Sequence, residues 1–181
     1  MTKKGQIVEI PATSAIYKDG VSHFGSKKEE LTQQLEKRNY NLFDGYLVGE
    51  HLGVGNFILG QRKGINVGGK DAPLYVIGIN KSTNQLFVGE GEQHPGLRTT
   101  LIGFHSNQMN PTPEITTESN DKALRVQVHS PSTQTALSAD LYIFGESCFL
   151  KFDTAVSIAI QNQPLEIRFA DQSITIININ Q

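Results

Sequence analysis

Apolar residues in the later part of the chain alternate over short spans. Leu124, Val126 and Val128 alternate with Arg125, Gln127 and His129, and Leu165, Ile167 and Phe169 alternate with Glu166 and Arg168. Ile174, Ile176 and Ile177 come near the end of the sequence. A period of two places one face of a strand in a core and the other in water. Earlier, Leu74-Tyr75-Val76-Ile77 and Gln85-Leu86-Phe87-Val88 flank Asn80-Lys81-Ser82-Thr83-Asn84, which predicts a hairpin. A break is expected from Asn107 to Glu114, because Asn110-Pro111-Thr112-Pro113 cannot continue a ladder. One helix is predicted. Ser26-Lys27-Lys28-Glu29 has the spacing of a capping box, in which Ser26 and Glu29 satisfy each other's amides. Leu31 and Leu35 then share a face, Lys27, Glu30, Gln34 and Arg38 face solvent, and the helix ends near Arg38. Many short strands with turns between them define small barrels or sandwiches. The expected fold is mainly β, with two small β-barrel domains preceded by a short helical segment. The expected divisions are an N-terminal segment at 1–44, a central β-domain at 45–110 and a C-terminal β-barrel at 111–181.

Size and charge narrow the function classes. The 181 residues can bury a core in one or two small domains. No apolar run is long enough to span a bilayer, and Met1-Thr2-Lys3-Lys4-Gly5 leads to Gln6, Glu9 and Pro11, not to the apolar centre of a secretory signal. A soluble cytoplasmic protein is expected. Cys148 is the single cysteine, so no internal disulfide forms. The net charge of −2 argues against strong non-specific binding to nucleic acid. Residues 1–44 carry seven Lys/Arg against six Asp/Glu, residues 45–110 five against four, and residues 111–181 four against eight. A polyanion is tolerated by the first two stretches and repelled by the third, so any contact with one must be local and matched in shape.

Reactive chemistry is scarce. Gly55 to Gly60 has the glycine spacing of a phosphate-binding loop, but Gln61-Arg62 stands where Lys and a metal-binding hydroxyl are required. His23, His51, His94, His105 and His129 are scattered, with no pair at helical spacing, and one cysteine cannot supply a zinc site. Cys148, near Glu146 and Leu150, reads as a small core residue and not as a thiolate nucleophile. Glu90 and Glu92 read as solvated surface. No catalytic group, cofactor or metal is expected, and the chain is not expected to be an enzyme on its own.

What stands out is Gly49 to Gly69, where glycines and charged side chains recur at intervals that packing does not require. Gly60-Gln61-Arg62-Lys63-Gly64 is followed by Gly68-Gly69. Two adjacent cations between glycines suit either a wet β-turn or a display loop, and glycine lets another backbone come close. An amide beside two cations can serve as both donor and acceptor.

The order of these segments resembles the middle region of bacterial tRNA 2-thiouridylases (tRNA-uridine 2-sulfurtransferases). The resemblance rests on Gly49-Glu50-His51-Leu52-Gly53, on Leu59-Gly60-Gln61-Arg62-Lys63-Gly64-Ile65 and on Gly68-Gly69. It continues through Leu74 to Gly78, Asn84 to Gly89, His94-Pro95-Gly96-Leu97 and Thr100-Leu101-Ile102. It covers about residues 45–105, with the helix fitting the preceding linker and the C-terminal barrel fitting by position and strand pattern. Members of that family carry an adenylating domain with an SGGVDS-type loop and two sulfur-relaying cysteines. These 181 residues contain no such loop, and Cys148 matches neither cysteine. The family's closing Pro-Gly-Gln and glycine-rich end appear here as Ile160-Gln161-Asn162-Gln163-Pro164 and Ile177-Asn178-Ile179-Asn180. The resemblance implies a non-catalytic tRNA-binding module for wobble-uridine thiolation, with Gln61, Arg62 and Lys63 in contact with RNA. Lys70, His94 and Arg98 would extend that patch, and His51, Gly60, Gly64, Gly68 and Gly69 would shape the loop, with His51 also within reach of RNA. Such a module would act alone or beside a separately encoded adenylating partner with an ATP-pyrophosphatase-type domain. The alternative is a subunit that docks on such a partner and leaves RNA untouched.

Overall fold

The computed structural model describes residues 4–18, 24–110, 122–170, 172–176 and 179. His23, Ile177 and the expected break beyond Asn110 lie outside the described residues. The protein is mainly β. The described chain divides into two compact units. The first comprises 4–18, Glu36–Arg98 and Ser157–Ala159, and the second the remaining described residues.

The first unit is built on a four-stranded sheet. Its strands are β1 (Gly5–Glu9), β2 (Tyr46–His51), β3 (Leu74–Asn80) and β4 (Gln85–Glu90), in the order β2-β1-β4-β3. The predicted hairpin is β3-β4, antiparallel, with Asn80 Oδ1 accepting from the Ser82 and Thr83 amides across the turn. Sequence patterning gave only a helix to the first 44 residues, yet β1 lies inside the sheet, antiparallel to β2 and parallel to β4. Neighbouring residues on these inner strands point to opposite faces, and both faces are covered. Ile7, Val76, Leu86 and Val88 enter one apolar cluster, while Val8, Ile77, Phe87 and Tyr40 enter another. A strand covered on both sides reads as an unbroken apolar run, which is why Ile7-Val8 and Leu86-Phe87-Val88 show no alternation.

The second unit contains α1 (Lys27–Glu36) and a seven-stranded sheet. The strands are β5 (Arg98–His105), β6 (Met109–Asn110), β7 (Leu124–His129), β8 (Leu137–Phe144), β9 (Ser147–Ser157), β10 (Leu165–Phe169) and β11 (Gln172–Ile176). Their order is β5-β9-β8-β7-β10-β11-β6. Both edge strands come from one short stretch of chain, so the sheet curls back towards itself. The break expected from Asn107 starts later, because Met109 and Asn110 pair with Ile176 and Thr175. The alternating strands behave as patterned. Val126, Val128, Leu165, Ile167, Ile174 and Ile176 are buried inside, while Arg168 pairs with Glu166 on the outside at 2.9 Å. Cys148 is fully buried in this core, and burial pushes its thiol up to about 11.

The helix ends at Glu36, two residues earlier than its pattern suggested. Its cap is half of the expected box. The Glu29 amide donates to Ser26 Oγ at 3.3 Å, but the Glu29 carboxylate accepts from Gly25 N instead of Ser26 N. Leu31 anchors the helix among Leu101, Tyr142 and Phe149. Lys27 pairs with Glu30 at 2.8 Å, and Lys151 of β9 reaches the same carboxylate at 3.5 Å.

Candidate nucleic-acid interface

The stretch 52–73 joins β2 to β3 without a strand of its own, and its layout follows from two buried anchors. Leu59 and Ile65 are in the core with Leu74, Val76 and Leu86. Between them lie two glycines at positive φ, Gly60 at 78° and Gly64 at 84°, and three polar residues. The anchors pin the loop, and the glycines turn the chain out and back. Phe57-Ile58-Leu59 is an apolar triplet but forms no ladder. Instead Ile58 opens a turn, with the Gln61 amide N–H donating to its carbonyl at 3.2 Å. Two further bonds hook this turn to β3: Gly60 N donates to Val76 O at 2.7 Å, and Val76 N donates to Gln61 O at 2.9 Å.

Arg62 and Lys63 are exposed, and among the described residues neither makes an ion pair or a side-chain hydrogen bond. The Arg62 charge is felt by the Tyr75 hydroxyl, which donates to Glu92 at 3.0 Å. Gln61 is placed differently from a free reader of donors and acceptors. Its Oε1 accepts from Ile58 N at 3.0 Å, and its Nε2 donates to the Lys63 carbonyl at 2.8 Å. Both ends of the amide thus have partners inside the turn.

A shallow open depression of about 410 Å3 lies beside the turn, lined by Arg62, Gly68, Gly69, Lys70 and Asp71 among others. Four of the residues singled out in the sequence therefore meet on one surface. Lys70 is not a free cation, because it pairs with Glu9 of β1. That hydrogen bond raises its pKa, so it stays charged while part of its charge is offset. Arg98 is exposed at the start of β5 but does not line the depression.

The two histidines are interior, which is a correction to their expected place in a contact patch. His51 is buried, with Nδ1 accepting from Gly53 N at 2.9 Å and its ring edge-on to Phe57. It shapes the start of the loop. His94 is 2% exposed. Its Nε2 donates to the Ile10 carbonyl at 2.9 Å, and its Nδ1 accepts from Gly96 N at 3.1 Å. A ring held at both nitrogens beneath the surface cannot reach an RNA chain outside. Ile58, 58% exposed next to the cations, was missed because an apolar triplet reads as interior.

The His94 environment sets a pH dependence. Its pKa lies below the usual 6.5, mainly because burial penalises the cation; the Ile10 carbonyl opposes this, and Arg38 adds to it. A depressed folded-state pKa means that stability is full above 6.5 and declines as pH falls from 6.5 through the folded value. An NMR titration of this ring should give a midpoint below 6.5, and a midpoint at or above it would contradict the buried neutral ring.

No three His, Cys, Asp or Glu residues come together as a metal site among the described residues. The geometry defines a small β-protein that presents an anchored cationic turn on its surface. Residues 28–90 match the family model of the tRNA methyl transferase PRC-barrel domain. The tRNA-specific 2-thiouridylase MnmA of Christiangramia forsetii is 32% identical over 152 residues, covering 84% of this chain and 38% of that protein. MnmA of Flavobacterium johnsoniae is 30% identical over 161 residues, covering 89% of this chain and 41% of its own length. MnmA of Karelsulcia muelleri is 42% identical over 100 residues, covering 55% and 24%. Over its β-region the chain is similar to tRNA 2-thiouridylases, and it spans about two fifths of the length of the first two relatives.

Proposed function

We propose that this chain is a cytoplasmic tRNA-binding module of a uridine-thiolating system, and that its turn at 61–64 lies against the RNA backbone. The observation that carries this reading is the state of Arg62 and Lys63, exposed and without ionic partners among the described residues, on a turn pinned at both ends. Arg supplies a planar fork for phosphate and Lys a point charge. The neighbouring depression with Gly68 and Gly69 gives a ribose-phosphate chain room to approach. Lys70 and Arg98 extend the cationic surface, while His51 and His94 act only through the backbone they hold. In this reading the chain does no chemistry itself, and adenylation and sulfur transfer fall to groups outside these 181 residues, on a pyrophosphatase-type partner.

The test is a tRNA titration at several salt concentrations with wild type and the Arg62→Ala/Lys63→Ala variant. Wild-type affinity should fall as salt rises, and the variant should bind more weakly with a log–log slope smaller by about 2, one for each phosphate contact removed. Equal affinity and equal slope in both proteins would end the reading.

A second reading, docking on a separate adenylating partner without RNA, is favoured by an apolar group at and beside the sheet edge. Phe43 is 93% exposed, and Tyr46 and Leu47 are exposed on β2, which ends the sheet order. Exposed apolar clusters of this kind mark protein contacts. A complex with such a partner that retains no RNA, formed by wild type and lost in Phe43→Ser, would favour docking over RNA contact.

A further inference from the structure

We infer that Gln61 is a positioning residue whose side-chain amide braces the Ile58–Lys63 turn from within and holds Arg62 and Lys63 outward together. The purpose of the brace rests on the RNA-contact reading above, but the brace itself belongs to the free protein.

The two cations sit between peptide groups that are fixed on either side. Before them, Gln61 N donates to Ile58 O, and the Gln61 carbonyl accepts from Val76 N. After them, the Lys63 carbonyl accepts from Gln61 Nε2 at 2.8 Å. The same amide turns its oxygen back to Ile58 N at 3.0 Å. One planar group therefore spans the turn and takes an N–H from its start and a carbonyl from its end. Few side chains can do this. Glutamate at neutral pH keeps the acceptor and loses the donor, methionine has the length and neither function, and asparagine is one methylene short. Gly64, at a φ of 84°, lets the chain double back directly behind the brace.

A side chain fixed in this way does not read a base. What it supplies is prior order. Without the brace, the turn has to be organised when RNA binds, and that cost lowers affinity without changing the number of phosphates engaged. Loss of Gln61 should therefore weaken binding with an unchanged salt slope, whereas loss of a direct phosphate contact reduces the slope by about 1.

The test compares wild type, Gln61→Met and Gln61→Glu. In the free proteins, hydrogen exchange followed by NMR reports the Ile58 amide. Gln61→Met should exchange this amide about fivefold to tenfold faster, the loss of roughly one hydrogen bond. Gln61→Glu, which keeps the acceptor, should restore protection to near the wild-type level. Gln61→Met should also lower tRNA affinity while keeping the wild-type salt slope. Unchanged Ile58 exchange in Gln61→Met would overturn the brace. A reduced salt slope would overturn it in favour of direct contact. Unchanged affinity in Gln61→Met, in a protein where Arg62→Ala/Lys63→Ala weakens binding, would overturn the positioning role. If the double variant also leaves tRNA binding intact, the RNA-contact reading fails while the exchange result still decides the brace.

Discussion

Gly5→Ala should lower the free energy of unfolding by about 3 kcal/mol, at the upper end of what inserting one methyl into a packed interior costs. Gly5 opens β1, paired with His51 of β2, and β1 is also flanked by β4. A β-carbon there would stand 2.1 Å from the Asn84 carbonyl oxygen and 2.5 Å from both Cε1 and Nε2 of His51. The carbonyl is main chain, so no rotamer relieves it. The His51 ring is held by Gly53 N and packed on Phe57, so moving it disturbs the loop behind. The strand itself must shift, and both of its neighbours are bonded to it. Gly68→Ala is the control, because a β-carbon there meets nothing within 4 Å. It should stay within about 0.5 kcal/mol of wild type. Urea unfolding of the three proteins checks this, and equal midpoints for Gly5→Ala and wild type would refute the close approach.

The second large effect is expected in the curled sheet. Leu150→Ala should cost about 3 kcal/mol, combining the lost transfer energy with the cavity left behind. Leu150 is fully buried on β9, opposite Leu141 of β8, which is 1% exposed. Cys148 and Phe152, two residues away on either side, are buried as well, so the face is interior from 148 to 152. Thr154→Ala on the same strand changes an exposed position and should cost less than about 1 kcal/mol. If the two variants lose equal stability, Leu150 is not the core residue its burial makes it.

The elements legible in the sequence were those with one wet face, together with the β3-β4 hairpin marked by its turn at Asn80 to Asn84. β7 and β10 announced themselves through Val126, Val128, Leu165 and Ile167 set between charged or polar neighbours, and the helix through Ser26, Leu31 and Leu35. β1 was not legible. Gln6-Ile7-Val8 is short, has apolar neighbours on both faces, and takes its place only through the distant strands 46–51 and 85–90. β8 and β9 were likewise hidden, since no turn signal as strong as Asn80 to Asn84 separates them. For the candidate site, chain position alone revealed the glycines and the two cations. It did not reveal that His94 is interior, because the carbonyl that holds it belongs to Ile10, far away in the chain. Nor did it reveal that the Gln61 amide has partners within its own turn, since a glutamine beside cations looks the same whether its amide faces in or out.

The parallel pairing of β1 with β4 has a consequence for synthesis. The segment Gly5–Glu9 leaves the ribosome long before Gln85–Glu90 exists, yet it is the inner member of the finished sheet. Contacts this distant form slowly, and until the later hairpin arrives an apolar strand waits with an open side. The hazard for this chain therefore falls during translation, when a neighbouring nascent copy can take the place reserved for residues 85–90.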